Sequence, residues 1–322
     1  FQTTDTGLCK PLNVEPMRFK LIKGKKLPKV RQQRFNPATK RLSEHLTRQH
    51  LKTGLLEPAN DSPVASRTHY CMKAANGERV DGPNFEVREC IDAREVNECM
   101  VKVVPQVPDG HTLIRELMRF SHFIETDWHT AYNSIVIHPD DRHILARHTA
   151  LGLFQPTRLQ FGVKNAQARF FGAKMTIYER DLKPDTRANT FSFIDDDRSG
   201  KTADEGWDVF LTRLEDLLTC AIKNNATLRA KKTRIGFEST VFYGFEVKHG
   251  KSSTAERNLA PIKNMHTPTN KGDVRRVLGV FVQAKNWVPN YASKVKALTD
   301  LLRKNTPFTW GTKQQLAFQS VR

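Results

Sequence analysis

The chain has 322 residues, with 52 Lys and Arg against 34 Asp and Glu, and a formal charge of +18. Its 38% hydrophobic content is enough for a buried core, which excludes wholesale disorder; the length fits one large domain or a few small ones. The charge points to a polyanionic partner, nucleic acid first, with an ordinary basic soluble protein as the plainer alternative. Five scattered cysteines form no CxxC pair, and no His cluster has zinc spacing, so free thiols in a reducing intracellular compartment are expected. No apolar run approaches a membrane span, so no membrane partner is expected. The start at Phe1 implies processing or a longer product.

Residues 1–40 are basic and lack periodicity, which reads as an extended arm or a solvated tail. A helix is expected from Ala38 to Leu56, with Leu42, Leu46, Leu51 and Leu55 on one face; "EPANDSPVAS" ends it. "THYCMKAANGERVDGPNFEVRECID" reads as strand, Gly-containing turn, strand. "FIETDWHTAYNSIVIHPDD" begins as a strand and closes in a second one, "NSIVIH". "FFGAKMTIYERDL" is a helix, and "TFSFI" a short strand that stops at three aspartates. In "DEGWDVFLTRLEDLLTCAIKNN" the residues Trp207, Phe210, Leu211, Leu214, Leu218 and Ile222 recur at helical spacing and mark one apolar stripe. "STVFYGFEVKHGK" suits a hairpin, and Asp273 to Lys304 reads as two helices split near Pro289.

Three adjacent carboxylates after a buried-strand pattern repel one another unless a cation or full solvation relieves them. Two-metal nucleotidyl transfer needs carboxylates at the ends of adjacent strands, around metals about 3.5–4 Å apart, and magnesium prefers such oxygen ligands. Asp127 ends one expected strand, and Asp195 and Asp196 follow another. A solvated acidic turn fits the same residues.

The order of the surrounding segments resembles the reverse transcriptase of gypsy-type LTR retrotransposons. "LKTGLLEPANDSPVAS", "EVRECIDAREVN", "FIETDWHTAYNSIVIHPDDR", "LFQPTRLQFGVKNAQARF", "FIDD", "TLRAKKTRIGF", "VFYGFEV", "VLGVFVQAKNWVPNYASKVKALTDLL" and "FTWGTKQQLAF" match the family's segments in order. The resemblance implies an α/β (α+β) right-hand polymerase with a reverse-transcriptase palm, β-rich fingers and a helical thumb. Its divisions would be a basic arm (1–40), fingers and palm (41–250), thumb (251–305) and the start of a linker toward RNase H (306–322).

It further implies that Asp127, Asp195 and Asp196 hold two Mg2+ ions, with the Trp128 carbonyl as a further ligand. Asp197, one place past the family's pair, is expected to face solvent or to act as a mild handicap through like-charge repulsion. Tyr132, five places after Asp127, matches the aromatic that excludes a ribose 2′-hydroxyl. Arg88 and Lys73 match triphosphate-binding cations, Phe161 and Gly162 the pair beside the nascent base pair, and Lys232 the lysine near the leaving phosphates. Lys285, Trp287 and Asn290 would face the primer–template, and Lys23, Lys25 and Lys26 of the arm would bind RNA. Departures include Ala93 for the family's Tyr, Gln160 and Gln167 for prolines, and Thr126-Asp127-Trp128 for "LDL". The implied function is RNA-directed DNA polymerase acting on RNA, RNA–DNA hybrid or DNA duplex with deoxynucleotides, in a cytoplasmic particle or the nucleus. The alternative is a domesticated, inactive structural RNA-binding subunit of a large ribonucleoprotein, such as a mitochondrial ribosome.

Overall fold

The computed structural model describes residues 8–29, 31–59, 62–73, 86–104, 107–129, 131–255, 262, 264–282, 285 and 288–321, with the backbone alone at 71–73 and 86–88. Contacts divide the chain into two units, Phe1–Leu113 with His122–Phe237, and Ile114–Ser121 with Glu238–Arg322.

The first unit begins with a basic segment that is laid down, not free. Met17 bridges Ile137, Leu21 bridges Met100, and Leu12 and Met17 sit in the core. Arg18 pairs with Asp140 and Asp141. The expected arm is thus anchored by apolar residues spaced between its lysines, which leaves Lys23, Lys25 and Lys26 exposed around a turn at Gly24.

Helix α1 spans Pro37–Thr53, with the Asn36 side chain accepting from the Thr39 N–H. Its buried side carries Ser43 and Thr47, one step round from the leucine face expected from the sequence. The reason is polar: Ser43 Oγ accepts from the Ala150 N–H, and the His50 ring lies 2.9 Å from the buried Glu89 carboxylate. The helix ends at Gly54, whose φ of 72° is left-handed. A Cβ there would meet nothing within 4 Å, so Gly54→Ala carries a backbone cost alone, about 1 kcal/mol. Calorimetry should show the transition lowered by roughly 2–4 °C.

Strands β1 (Leu56–Pro58), β5 (Arg147–Thr149) and β6 (Gly152–Pro156) form one sheet in the order β1-β6-β5. Strands β2 (Thr68–Lys73) and β3 (Glu86–Ile91) pair antiparallel as expected; their connection lies outside the described residues. Helices α2 (Arg94–Cys99) and α3 (Gly110–Leu117) lead into the four-stranded sheet β7-β8-β4-β9. Its strands are β4 (Phe120–Asp127), β7 (Thr190–Phe193), β8 (Asp196–Thr202) and β9 (Arg234–Phe237). The expected strand "NSIVIH" is a 3-10 turn at Tyr132–Ser134 followed by single bridges of Val136 to Arg158 and Ile137 to Met17.

Helices α4 (Ala166–Asp181), α5 (Pro184–Ala188) and α6 (Trp207–Lys223) lie wholly in the first unit. Phe170, Ile177, Phe210 and Leu217 join Ile124, Trp128 and Ile135 in its core. The burial of α6 corrects the sequence reading. Its inner side carries Phe210, Arg213, Asp216, Leu217, Cys220 and Ala221, while Trp207, Leu211, Leu218 and Ile222 are exposed. Arg213 reaches inward because Asp185, Glu205 and the Gly200 carbonyl take its donors.

In the second unit, β10 (Ser239–Phe242), β11 (Phe245–Lys248) and β12 (Lys251–Thr254) form an antiparallel sheet, one strand more than the expected hairpin. Helices α7 (Lys271–Phe281), α8 (Tyr291–Asp300) and α9 (Thr312–Gln319) enclose a core of Val274, Phe281, Leu298 and Phe318. Ala317, Phe318 and Val321 also pack into this core. Among the described residues no helix is long and apolar enough to cross a membrane.

Candidate active site

The three aspartates sit on a hairpin. Phe193 pairs with Asp196, so Ile194 and Asp195 are the two turn residues between β7 and β8. Ile194 has φ 59°, a left-handed conformation that disfavours a β-branched residue by about 1–2 kcal/mol. Two hydrogen bonds hold the turn in place. The Lys174 ammonium donates to the Ile194 carbonyl at 2.8 Å, and the Trp128 N–H donates to the Asp195 carbonyl at 3.0 Å. The second bond ties the end of β4, which carries Asp127, to the turn that carries Asp195.

Asp196 senses its neighbours. Burial pushes the Asp196 carboxyl up, and the charges of Asp195 and Asp127 push the same way against Arg198 and Lys232. Asp127 is buried, and its carboxylate accepts from Lys232 Nζ at 2.7 Å, with Arg229 Nε 3.4 Å away. The Arg229 N–H also donates to the Asp127 carbonyl. Lys232 therefore stands at the acid cluster, and Arg229, which the sequence reading passed over, stands beside it.

Asp197 corrects an expectation. It does not face solvent: its side chain is 2% exposed and lies 2.6 Å from Lys174 Nζ. Tyr178 donates to it at 2.7 Å, and Ser192 donates to its other oxygen. The polar run "DDRSGKT" hid strand β8 from a hydrophobicity reading, because its burial is satisfied by ion pairs and hydroxyls. Lys174 carried the missing signal. A lysine between Phe170 and Tyr178, at i−4 and i+4 on a buried helix face, demands a carboxylate.

Trp128 turns its indole into the core, edge-on to Phe170 and Tyr178, and its Nε1 donates to the Tyr178 hydroxyl. Its backbone bridges Leu228. The bulk of the indole is thus taken up by the core. Tyr132 is half-buried and meets Phe161 edge to face, with ring centres 5.0 Å apart. Burial pushes its phenol up, and the charge of Asp195 adds to this, which places Tyr132 within electrostatic reach of the turn.

Phe161 is 43% exposed. Gly162 has φ 86°, so the backbone favours glycine, while a Cβ there would be in ordinary van der Waals contact with the Ile91 carbonyl at 3.4 Å. Asn97 donates to the Gly162 carbonyl and accepts from the Lys164 N–H, which fixes the loop on α2.

Arg88 and Lys73 lie on the paired strands β3 and β2, where Arg88 faces Cys71 and Lys73 faces Glu86; their side chains fall outside what is described. In the second unit Lys285 is exposed and Asn290, with φ 55°, precedes α8; Trp287 lies outside the described residues.

The donor chemistry of Asp127, Asp195 and Asp196 suits a hard divalent cation, since all are carboxylate oxygens at adjacent strand ends. As they stand, the side chains do not form a ready cage: among the described residues no group of three or more His, Cys, Asp or Glu has metal-binding geometry. Asp127 is instead turned to Lys232.

No protein-family model matches the chain. It is 25% identical over 319 residues to the Gag-Pol polyprotein of avian reticuloendotheliosis virus, which covers 95% of this chain and 26% of that one. It is 27% identical over 253 residues to the Gag-Pol polyprotein of koala retrovirus, covering 74% and 14%. It is 24% identical over 286 residues to the Pol polyprotein from transposon gypsy of Drosophila melanogaster, covering 85% and 27%. The chain thus spans about a quarter or less of these relatives' length.

Among solved structures, the foamy viral protease-reverse transcriptase in complex with dsDNA matches with TM-score 0.81 and 19% identity, over 100% of this chain and 63% of that one. The same protein in complex with RNA/DNA hybrid matches with TM-score 0.78 and 19% identity, over 100% and 41%. The fold is that of a reverse transcriptase, mixed α and β. Its sequence relatives are retroviral Gag-Pol and gypsy Pol polyproteins.

Proposed function

We propose that the chain is an RNA-directed DNA polymerase that adds deoxynucleotides to a primer. One observation carries the reading: the Trp128 N–H bond to the Asp195 carbonyl ties the end of β4, which carries Asp127, to the turn that carries Asp195 and leads into Asp196. Two magnesium ions held by Asp127 and Asp195, with Asp196 beside them, would polarise the phosphoryl group and lower the pKa of the attacking hydroxyl.

The chain's own residues supply the rest. Lys232, 2.7 Å from Asp127, would neutralise the leaving phosphates. The guanidinium of Arg88 would grip the triphosphate in a bidentate way. Tyr132 and Phe161 form an aromatic floor for the incoming sugar and base. Catalysis of this kind is positioning and electrostatics, with no covalent intermediate on the protein.

The net charge of +18 and the nucleic-acid complexes of the foamy viral proteins support a duplex partner. Binding to phosphates predicts affinity that falls steeply with salt and depends little on sequence. The test is primer extension on an RNA template with magnesium and deoxynucleotides. Extension that requires Asp127 supports the reading. A pure, folded chain that binds RNA but never extends at any magnesium concentration overturns it, and leaves a structural RNA-binding subunit.

A further inference from the structure

We propose that Lys174 and Asp197 are a buried positioning pair that sets the Ile194-Asp195 turn, and with it the two turn carboxylates, for the divalent cation; this rests on the polymerase reading above. The pair is closed to water, with side chains 0% and 2% exposed and 2.6 Å between Nζ and Oδ1. Every segment that carries or flanks an acid meets it. From β4, Thr126 Oγ1 lies 3.5 Å from the Asp197 carboxylate, and Trp128 donates to Tyr178, which donates to Asp197. From β7, Ser192 donates to the same carboxylate. At the turn, Lys174 spends a further donor on the Ile194 carbonyl at 2.8 Å. The ammonium also lies 5.4 Å from the centre of the Trp128 ring, within cation–π range.

Stability alone does not account for these residues. A buried ion pair gains little over an apolar pair of like volume, because desolvation offsets the attraction. An apolar pair, however, has no donor for the Ile194 carbonyl, and Ile194 is held in a left-handed conformation that it does not favour by itself. The pair is also neutral as a unit. It removes the charge of the third aspartate from the neighbourhood of Asp195 and Asp196, so that only those two and Asp127 compete for the cation. The residues that hold the turn are thus distinct from the residues that would hold the metal.

The test compares the full chain with Lys174→Met/Asp197→Leu. The double substitution leaves no lone buried charge, so the variant should fold; the single Lys174→Met, which strands the carboxylate, should show a much lower melting temperature. Three quantities are read: amide hydrogen exchange in the peptide spanning Phe193 to Asp196, Mn2+ affinity by electron paramagnetic resonance without substrate, and steady-state extension. Asp127→Asn reports which Mn2+ is bound at the acids.

We expect turn exchange at least about tenfold faster, as a local opening would give. Mn2+ affinity should fall about tenfold, the usual effect of losing a group that orients a ligand, and kcat should fall similarly with an unchanged KM for deoxynucleotide. A folded double variant with unchanged turn exchange, or with unchanged Mn2+ affinity despite faster exchange, overturns the proposal. If the wild-type chain neither extends a primer nor binds Mn2+ more tightly than Asp127→Asn, it is the polymerase reading that fails, and the turn exchange still decides whether the pair holds the turn.

Discussion

Asp195→Asn together with Asp196→Asn should abolish primer extension while the chain stays folded and binds RNA as well as before or more tightly. The loss should reach about 10³-fold, since several kcal/mol of charge stabilisation disappear with the carboxylate oxygens. Folding should survive because the turn is held by backbone and by Lys174, not by these side chains. A gain in stability is expected at neutral pH. Burial and the charges of Asp195 and Asp127 raise the Asp196 pKa in the folded chain. A carboxyl raised in this way binds its proton more tightly folded than unfolded, so its contribution to stability falls as pH rises from the ordinary Asp range through the raised value. Asparagine at 196 removes that fall. Without metal, the variant should therefore melt at or above the wild-type temperature at pH 7, and the difference should vanish at about pH 3. RNA affinity should hold or rise because two negative charges leave a basic protein. Extension that persists in the double variant would show that the acids do not hold the catalytic metal.

What the sequence revealed follows from where hydrophobic period and segment order carry the information. Helix α4, the β2–β3 pair and strand β7 were legible because apolar spacing and turn residues mark them. Strand β8 was not, because its residues Asp196 to Thr202 are polar and are buried through Lys174, Glu125 and hydroxyl partners. The stripe of α6 was misread for a related reason. A count of apolar residues favoured Trp207, Leu211, Leu218 and Ile222, yet Arg213 and Asp216 lie on the buried side, where Asp185 and Glu205 meet the guanidinium and the Lys183 N–H meets the Asp216 carboxylate. The acids of the candidate site were visible as strand-end aspartates. Their supports, Lys174, Tyr178 and Asp197, are scattered over 24 positions of sequence and meet only through the fold.

The remaining large effect concerns sugar choice. Tyr132→Ala should raise ribonucleotide incorporation relative to deoxynucleotide by roughly ten- to a hundredfold, the range expected from relieving a clash worth about 1–3 kcal/mol. Tyr132 follows Asp127 by five residues in a 3-10 turn, lies within electrostatic reach of Asp195, and is braced edge-on by Phe161 at 5.0 Å and Phe170 at 6.1 Å. Phe170 is fully buried and packs against the phenol ring, which limits how far it can yield, as a steric filter requires. Because it lies half-buried on the core and not in its centre, truncation should leave the fold intact, and the deoxynucleotide kcat should fall by less than the selectivity changes. Tyr132→Phe separates bulk from hydroxyl. It keeps the ring and should keep discrimination near the wild-type ratio, whereas a loss like that of Tyr132→Ala would assign the filter to the hydroxyl. The measurement is single-nucleotide extension with paired ribo- and deoxynucleotides, read as the ratio of kcat/KM. An unchanged ratio in an active Tyr132→Ala chain would remove Tyr132 from sugar selection.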